Sequence, residues 1–150
     1  RKVNDSMGGF VADAAIKQMI EAGMAPKNAA VVVLGITFKE DCPDTRNSKV
    51  VDVINRLKEF DIQPVVTDPW ADAEVARHEY GVELTDFDQL PKADCVIVAV
   101  GHSKFRALSM MQLKELFKKD LPDSEKVLID VKSLYRMDEL KASGMRFWRL

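Results

Sequence analysis

Cysteine is scarce in this chain: Cys42 and Cys95 are the two examples in 150 residues. Neither stands in a CxxC pair or beside a histidine cluster, so a disulfide framework and a zinc site are both unexpected. Charge of one sign is also lacking. Twenty-two Lys and Arg against 24 Asp and Glu leave a formal net charge of -2, with no basic excess to hold a phosphate backbone, and nucleic acid is not an expected partner. No apolar run approaches the ~20 residues that cross a bilayer, and no signal-like start is present, so a cytoplasmic protein without a membrane partner is expected. Internal repeats and low-complexity tracts are absent. The glycines, seven in all, never form the Gly-x-Gly-x-x-Gly turn that brings backbone against a pyrophosphate; after Gly35 come Ile36, Thr37 and Phe38.

What is present is enough apolar residue, 47% of the chain, for one sizeable core. The chain is organised around residues 31–60. Val31, Val32, Val33 and Leu34 read as a strand buried on both faces. A polar loop with Pro43 follows, and near Asn47 and Ser48, both good N-caps, it gives way to a helix with Val50, Val53, Ile54 and Leu57 on one stripe. The loop lies at the carboxyl end of the strand, where open α/β sheets place their ligands.

Upstream, Met7, Val11, Ala14, Ala15, Ile16, Met19 and Ile20 recur at helical spacing until Gly23 and Pro26, which predicts a first helix of about twenty residues. The abrupt start Arg1-Lys2-Val3, without an initiator methionine, reads as a piece of a longer protein. Downstream, short strands are expected at 63–67, 82–84, 95–100, 127–129 and 145–148. Between them lie a helix from Asp72 to Tyr80 with Val75 and Ala76 inward and Gly81 as its stop, and a turn opened by Thr85-Asp86-Phe87-Asp88. A helix started by the capping box Ser109-Met110-Met111-Gln112 and one from Leu134 to Ala142 ended by Gly144 complete the set. Met7, Met19, Met110 and Met111 read as core. The alternation predicts an α/β fold: a Rossmann-like, doubly wound, mostly parallel sheet with helices on both faces, preceded by an N-terminal helix.

Candidate chemistry collects at strand ends. Lys39, Arg46, Asp68, His102 with Ser103, and Lys132 each follow a strand, so parallel topology gathers them at one sheet edge. Lys39, Arg46 and Lys132 beside the helix start suit a phosphate or diphosphate. Alternatively, Lys39 and Arg46 neutralise Glu40, Asp41 and Asp44 as surface ion pairs. Cys42 has three acidic neighbours, which disfavour a nucleophilic thiolate. A lone His102 at a strand end is more often a hydrogen-bonded structural residue than a general base.

The segment from Gly35 to Val50, GITFKEDCPDTRNSKV, closely resembles the signature opening the C-terminal domain of the UDP-glucose/GDP-mannose dehydrogenase family. Arg1-Lys-Val-Asn-Asp-Ser-Met7 resembles the end of that family's long central helix. Thr67-Asp-Pro69, Ala99-Val-Gly-His102 and Ile129-Asp-Val-Lys-Ser133 match further landmarks in order. The flavour Cys-Pro-Asp-Thr-Arg-Asn-Ser with Asp-Val-Lys-Ser-Leu-Tyr is more similar to members acting on UDP-N-acetylhexosamines than to UDP-glucose members.

The resemblance implies a division into residues 1–25, the end of a central dimerisation helix, and residues 26–150, a UDP-sugar-binding domain. It implies a parent enzyme that oxidises C6 of a nucleotide sugar from alcohol to carboxylate, four electrons with two NAD, for surface polysaccharide precursors. NAD is then bound mainly by a missing N-terminal domain, and the catalytic cysteine lies in a missing central domain, so no catalytic group and no metal site is expected in this chain. Phe38 and Lys39 would lie against the nucleotide or its phosphates, Lys132 near the uridine, Arg1 toward a neighbouring subunit's substrate, and Arg46 toward NAD or the diphosphate. The first helix would find its partners in the missing domain or in the second subunit of a homodimer. A rival is a phosphoacceptor receiver of the same α/β class, with Glu40, Asp41 and Lys132 as mimics of its acidic pair and lysine. That rival also needs an Asp at the end of a middle strand, and Val98-Ala99-Val100-Gly101 offers none.

Overall fold

The structure, a computed structural model, describes residues 2–150, and side chains from Gly8 onward. Five strands, β1 (Val31–Leu34), β2 (Val65–Thr67), β3 (Cys95–Val98), β4 (Val127–Asp130) and β5 (Arg146–Arg149), form one sheet in the order β2-β1-β3-β4-β5. Every pairing is parallel, with Val32 opposite both Val65 and Val96. Parallel strands need crossovers, and helices supply them: α2 (Val50–Lys58), α3 (Ala73–Tyr80), α4 (Ser103–Arg106), α5 (Met110–Lys114) and α6 (Met137–Ser143). Single 3₁₀ turns lie at Phe87–Gln89 and Asp123–Glu125. The expected Rossmann-like, doubly wound α/β architecture is the observed one.

Alternation along the strands divides the core in two. Val31, Val33, Cys95, Ile97, Val127 and Ile129 face one layer, which holds Val53, Ile54 and Leu57 of α2. Val32, Leu34, Val96, Val98 and Leu128 face the other, which holds Phe105, Leu113, Phe117 and Leu140. Burial pushes the Cys95 thiol up, out of the range in which a thiolate forms.

The N-terminal helix α1 (Lys2–Glu21) changes one expectation. Its partners are inside this chain. Val11, Ala12, Ala15, Ile16 and Met19 are buried against α2 and the sheet, and burial of each large side chain contributes about 2 kcal/mol. Close approach rests on Gly8, where a Cβ would stand 2.4 Å from the Cβ of Asp52. Its outer side carries Ile20 and Phe10, the latter edge-on to Trp148 at 5.7 Å between ring centroids.

Several local expectations shift for identifiable reasons. Segment 82–84 is reduced to a single bridge between Leu84 and Val66, because β2 is the sheet edge and is short. On α3, Asp72 caps the first turn and Gly81 ends the helix at φ 67°, as the spacing predicts, but Ala76 alone is buried and Val75 is exposed. The Ser109–Gln112 capping box is present in full. Met111 nevertheless points to solvent, 72% exposed, since a helix this short buries one position, Leu113, and Met110 is only partly buried. Helix α6 begins at Met137 rather than Leu134, because the Asp130 carboxylate accepts from the N–H groups of Leu134 and Tyr135 and holds them in a turn.

Candidate functional site

In a sheet of this order the connections leave β1 and β3 in opposite directions, which opens a crevice above their carboxyl ends. The sequence packs that point tightly. Gly35, at φ 100°, lets the chain turn off β1; a Cβ there would lie 2.6 Å from the Cβ of Val100, just beyond β3. No other residue type combines that backbone with that proximity.

Above it lies a buried polar hub. His102, fully buried, follows β3, and its Nδ1 accepts from the N–H of Asp41 at 2.9 Å. Nε2 therefore carries the proton. It reaches Asp68 Oδ2 at 3.0 Å and Thr37 Oγ1 at 3.1 Å, while the Thr37 hydroxyl donates to the carbonyl of Lys39 at 3.0 Å. Asp41, at φ 53°, also accepts from the N–H and hydroxyl of Ser103, and these bonds hold its carboxyl below the usual range. One imidazole thus ties the loop after β1 to those after β2 and β3. The structural reading of His102 is the one the geometry supports.

Asp68 explains the missing glycine fingerprint. Its Oδ2 accepts from the N–H groups of Ile36 at 2.7 Å and Thr37 at 3.2 Å, and Oδ1 from those of Trp70 and Ala71. Where a dinucleotide fold presents backbone N–H groups to a pyrophosphate, this domain has filled the position with its own carboxylate. Burial alone would raise the Asp68 carboxyl, and the hydrogen bonds from His102 and the backbone outweigh it, leaving the carboxyl below its ordinary value. The residues at the β1 turn do not fit a bound NAD pyrophosphate.

The open part of the crevice is a cleft of about 400 Å³ beside this hub. Thr37 and Phe38 after β1, Ala99 and Val100 after β3, and Val131 and Lys132 after β4 line it, with Lys49 and Val50 at the start of α2 and Gly8 and Val11 from α1. Phe38 is 55% exposed there. Lys132 is presented by the turn that Asp130 caps, where Ser133 takes φ 54°.

Of the residues the sequence singles out, Phe38 and Lys132 meet in this cleft, and Lys39 and Arg46 do not line it. Arg46 forms a two-pronged pair with Asp44, through Nε at 3.0 Å and Nη2 at 2.9 Å, as the ion-pair alternative anticipates. That pair, chiefly the hydrogen bonds, pushes the Asp44 carboxyl down to about 2. Arg1 lies outside the described residues. The expected N-caps of α2 serve otherwise: Asn47 takes φ 61° in the loop, Ser48 Oγ accepts from Val50 N–H, and Lys49 occupies the cap position with no side-chain cap bond. Composition and spacing do not single out Lys49, although the sequence shows its place between a cap residue and the apolar stripe.

The family model described as "UDP-glucose/GDP-mannose dehydrogenase family, UDP binding domain" matches residues 32–137, which include the Gly35–Val50 segment and Lys132. The chain belongs to this family. A UDP-N-acetyl-D-glucosamine 6-dehydrogenase of Pseudomonas aeruginosa is 40% identical over 142 residues, 95% of this chain and 32% of that protein. Its counterpart in Salmonella typhi is 39% identical, over 88% of this chain and 30% of that protein. The chain thus spans about a third of the length of these curated relatives. Among solved structures, a UDP-N-acetyl-mannosamine dehydrogenase of Staphylococcus aureus is 28% identical with a TM-score of 0.68, covering 99% of this chain and 31% of that one. The NDP-N-acetyl-D-galactosaminuronic acid dehydrogenase of Methanosarcina mazei has a TM-score of 0.85 over 99% of this chain and 30% of that one; at 24% identity it supports the fold alone. The family assignment argues against the receiver alternative, as does the engagement of Asp41 by His102 and Ser103. Among the described residues no helix is long and apolar enough to cross a membrane, and no cluster of three His, Cys, Asp or Glu residues is placed to hold a metal.

Proposed function

We propose that this chain is the C-terminal domain that closes over the UDP part of a UDP-sugar, most specifically a UDP-N-acetylhexosamine, in a cytoplasmic NAD-dependent UDP-sugar 6-dehydrogenase. The observation that carries this is the cleft at the sheet's switch point, where an aromatic face and a lysine meet apolar walls in a chain of the UDP-binding family. Such walls suit a planar base and ribose, and cations at the rim suit the diphosphate. In this reading Phe38 lies against the nucleotide, Lys39 stands beside its phosphates and Lys132 stands near the uridine. Arg46, exposed on the outer side of the loop, faces the domain that carries NAD, and Arg1 reaches toward the substrate of a second subunit across the dimer made by the central helix.

NAD supplies hydride acceptance in the parent enzyme, and this chain's β1 turn, already engaged by Asp68, does not hold it. The part played by this chain is to bind, orient and cover the nucleotide while C6 is oxidised from alcohol to carboxylate elsewhere, yielding a uronate for surface polysaccharide. Residues 1–25 are then the end of the central helix, and residues 26–150 the binding domain proper.

The test is a chemical-shift titration of the chain with UDP and with uridine. Half a cleft leaves the ligand partly solvated, so a Kd of about 1 mM for UDP is expected, and weaker for uridine. Shifts should concentrate at residues 36–50, 99–103 and 131–133. Scattered shifts, or none at saturating UDP, would remove the reading.

A further inference from the structure

The cleft contains a cation that the family resemblance does not assign. Lys49 is exposed, occupies the N-cap position of α2 with φ -76° and ψ -15°, and lines the cleft along with Lys132 and Phe38. A lysine at the amino end of a nine-residue helix opposes the helix dipole, and Lys is not a cap-forming residue. A local rule broken in this way points to a demand from function. Neither Lys49 nor Lys132 forms an ion pair with any carboxylate whose side chain is described, in contrast to Arg46, which Asp44 neutralises, and Lys126, which Asp123 neutralises. Among the described residues, two cations without an ion pair thus border one largely apolar cleft.

We propose that Lys49 is a nucleotide-diphosphate contact, which with Lys132 forms the cationic pair of the cleft, an inference that rests on the UDP reading above. The two lysines reach the cleft from different elements, the start of α2 and the turn after β4. Lys49 is a point charge on a flexible stem, suited to a diphosphate that settles as the rest of the enzyme closes, while Lys132 keeps its place near the uridine. The inference assigns discrimination between UDP and uridine to Lys49, and base recognition to the apolar walls.

The experiment compares Lys49→Gln, Lys49→Arg and Lys58→Gln in the whole chain by amide-shift titration with UDP and with uridine. Lys58 is an exposed lysine at the far end of the same helix, so its variant controls for net charge. Lys49→Gln should weaken UDP about fivefold to tenfold, the range of one charge-assisted contact, and leave uridine within about twofold. Lys49→Arg should retain most of the affinity, and Lys58→Gln all of it. If Lys49→Gln weakens UDP no more than Lys58→Gln, or weakens uridine equally, Lys49 is not a diphosphate contact, while the UDP reading stands. If the unaltered chain shows no UDP-specific shifts, both are overturned.

Discussion

His102 Nε2 lies 3.0 Å from Asp68 Oδ2, and neither side chain is accessible to solvent. The pair closes a hub in which one carboxylate accepts from four backbone N–H groups on two loops and from the imidazole. Removing one partner from such a buried arrangement leaves several donors unpaired. Asp68→Ala is expected to lower stability by about 3 kcal/mol, and Asp68→Asn, which keeps the shape but turns one acceptor into a donor, by about 2 kcal/mol. Urea unfolding followed by circular dichroism measures both; losses under about 0.5 kcal/mol would show that water replaces the carboxylate.

The same carboxyl sets a pH dependence. Burial raises the Asp68 value and the hydrogen bonds lower it further, so the folded value lies below the ordinary one. A depressed acid binds its proton more readily in the unfolded chain, so its stabilisation is complete above the unfolded value of about 3.9 and disappears as pH falls through the folded value. Asp41, Asp123 and Asp138 are depressed too, so the whole chain should lose stability below about pH 4. Asp68→Asn should flatten that decline. A parallel decline in both proteins would place the acid sensitivity at the surface pairs instead.

Two substitutions at His102 separate its hydrogen bonds. Asn keeps an acceptor near the Nδ1 position and Gln a donor near the Nε2 position. His102→Gln should therefore release the Asp41 N–H and loosen the 37–45 loop, while His102→Asn should hold that loop and weaken the tie to Asp68. Each is expected to lose about 1–3 kcal/mol of stability. Amide exchange at Asp41 distinguishes them. Equal acceleration in the two variants would mean that His102 acts as bulk filling and not through those bonds.

These relationships explain what was legible in the sequence and what was not. Val31–Leu34 and Cys95–Val98 announce themselves as uninterrupted apolar runs, and Ser109 with Gln112, or Asp72 with Gly81, carry their helix boundaries in the residue types themselves. The hub leaves no such trace. His102 meets partners 34, 61 and 65 positions away, and a hydrogen bond across that separation has no period to detect. The charged loop is legible in part: Arg46 and Lys39 stand out by composition, and so does the ion pairing that Arg46 makes with Asp44 two residues away, whereas the placing of Lys49 beside Lys132 at the cleft depends on how α2 and the turn after β4 meet. Val75 and Met111 read as core because a stripe in a short helix extends past the one position that touches a neighbour.

Arg46 and Asp44 offer a test without any stability effect. The fork of the guanidinium engages both carboxylate oxygens and pushes the Asp44 carboxyl down to about 2. Arg46→Lys keeps the charge but supplies one donor point instead of a planar pair. Carboxyl resonances followed by NMR should show Asp44 rising toward the ordinary value, with unfolding unchanged because the pair is exposed. An unmoved Asp44 would assign its shift to simple charge proximity, which a lysine also provides.

The last prediction concerns α1, read from the sequence as a helix whose partners lie outside this chain. In the structure Met19 is fully buried and Gly8 brings α1 onto Asp52 of α2. If that packing belongs to the cooperative fold, Met19→Ala removes a filled site in the main core and should lower global stability by about 3 kcal/mol, within the range for Met to Ala at buried positions. If α1 instead frays from an independently stable sheet, the change is absorbed by the helix and the global value falls by well under 1 kcal/mol. Hydrogen exchange adds the spatial detail. Amides from Val11 to Met19 should be protected nearly as deeply as Val31 to Leu34, with protection falling toward the amino end. Gly8→Val, which forces a side chain against Asp52, should strip protection from the first turns of α1 while leaving β1 unchanged. Uniformly shallow exchange through Met19 in the unaltered chain would return the helix to partners elsewhere in the parent protein.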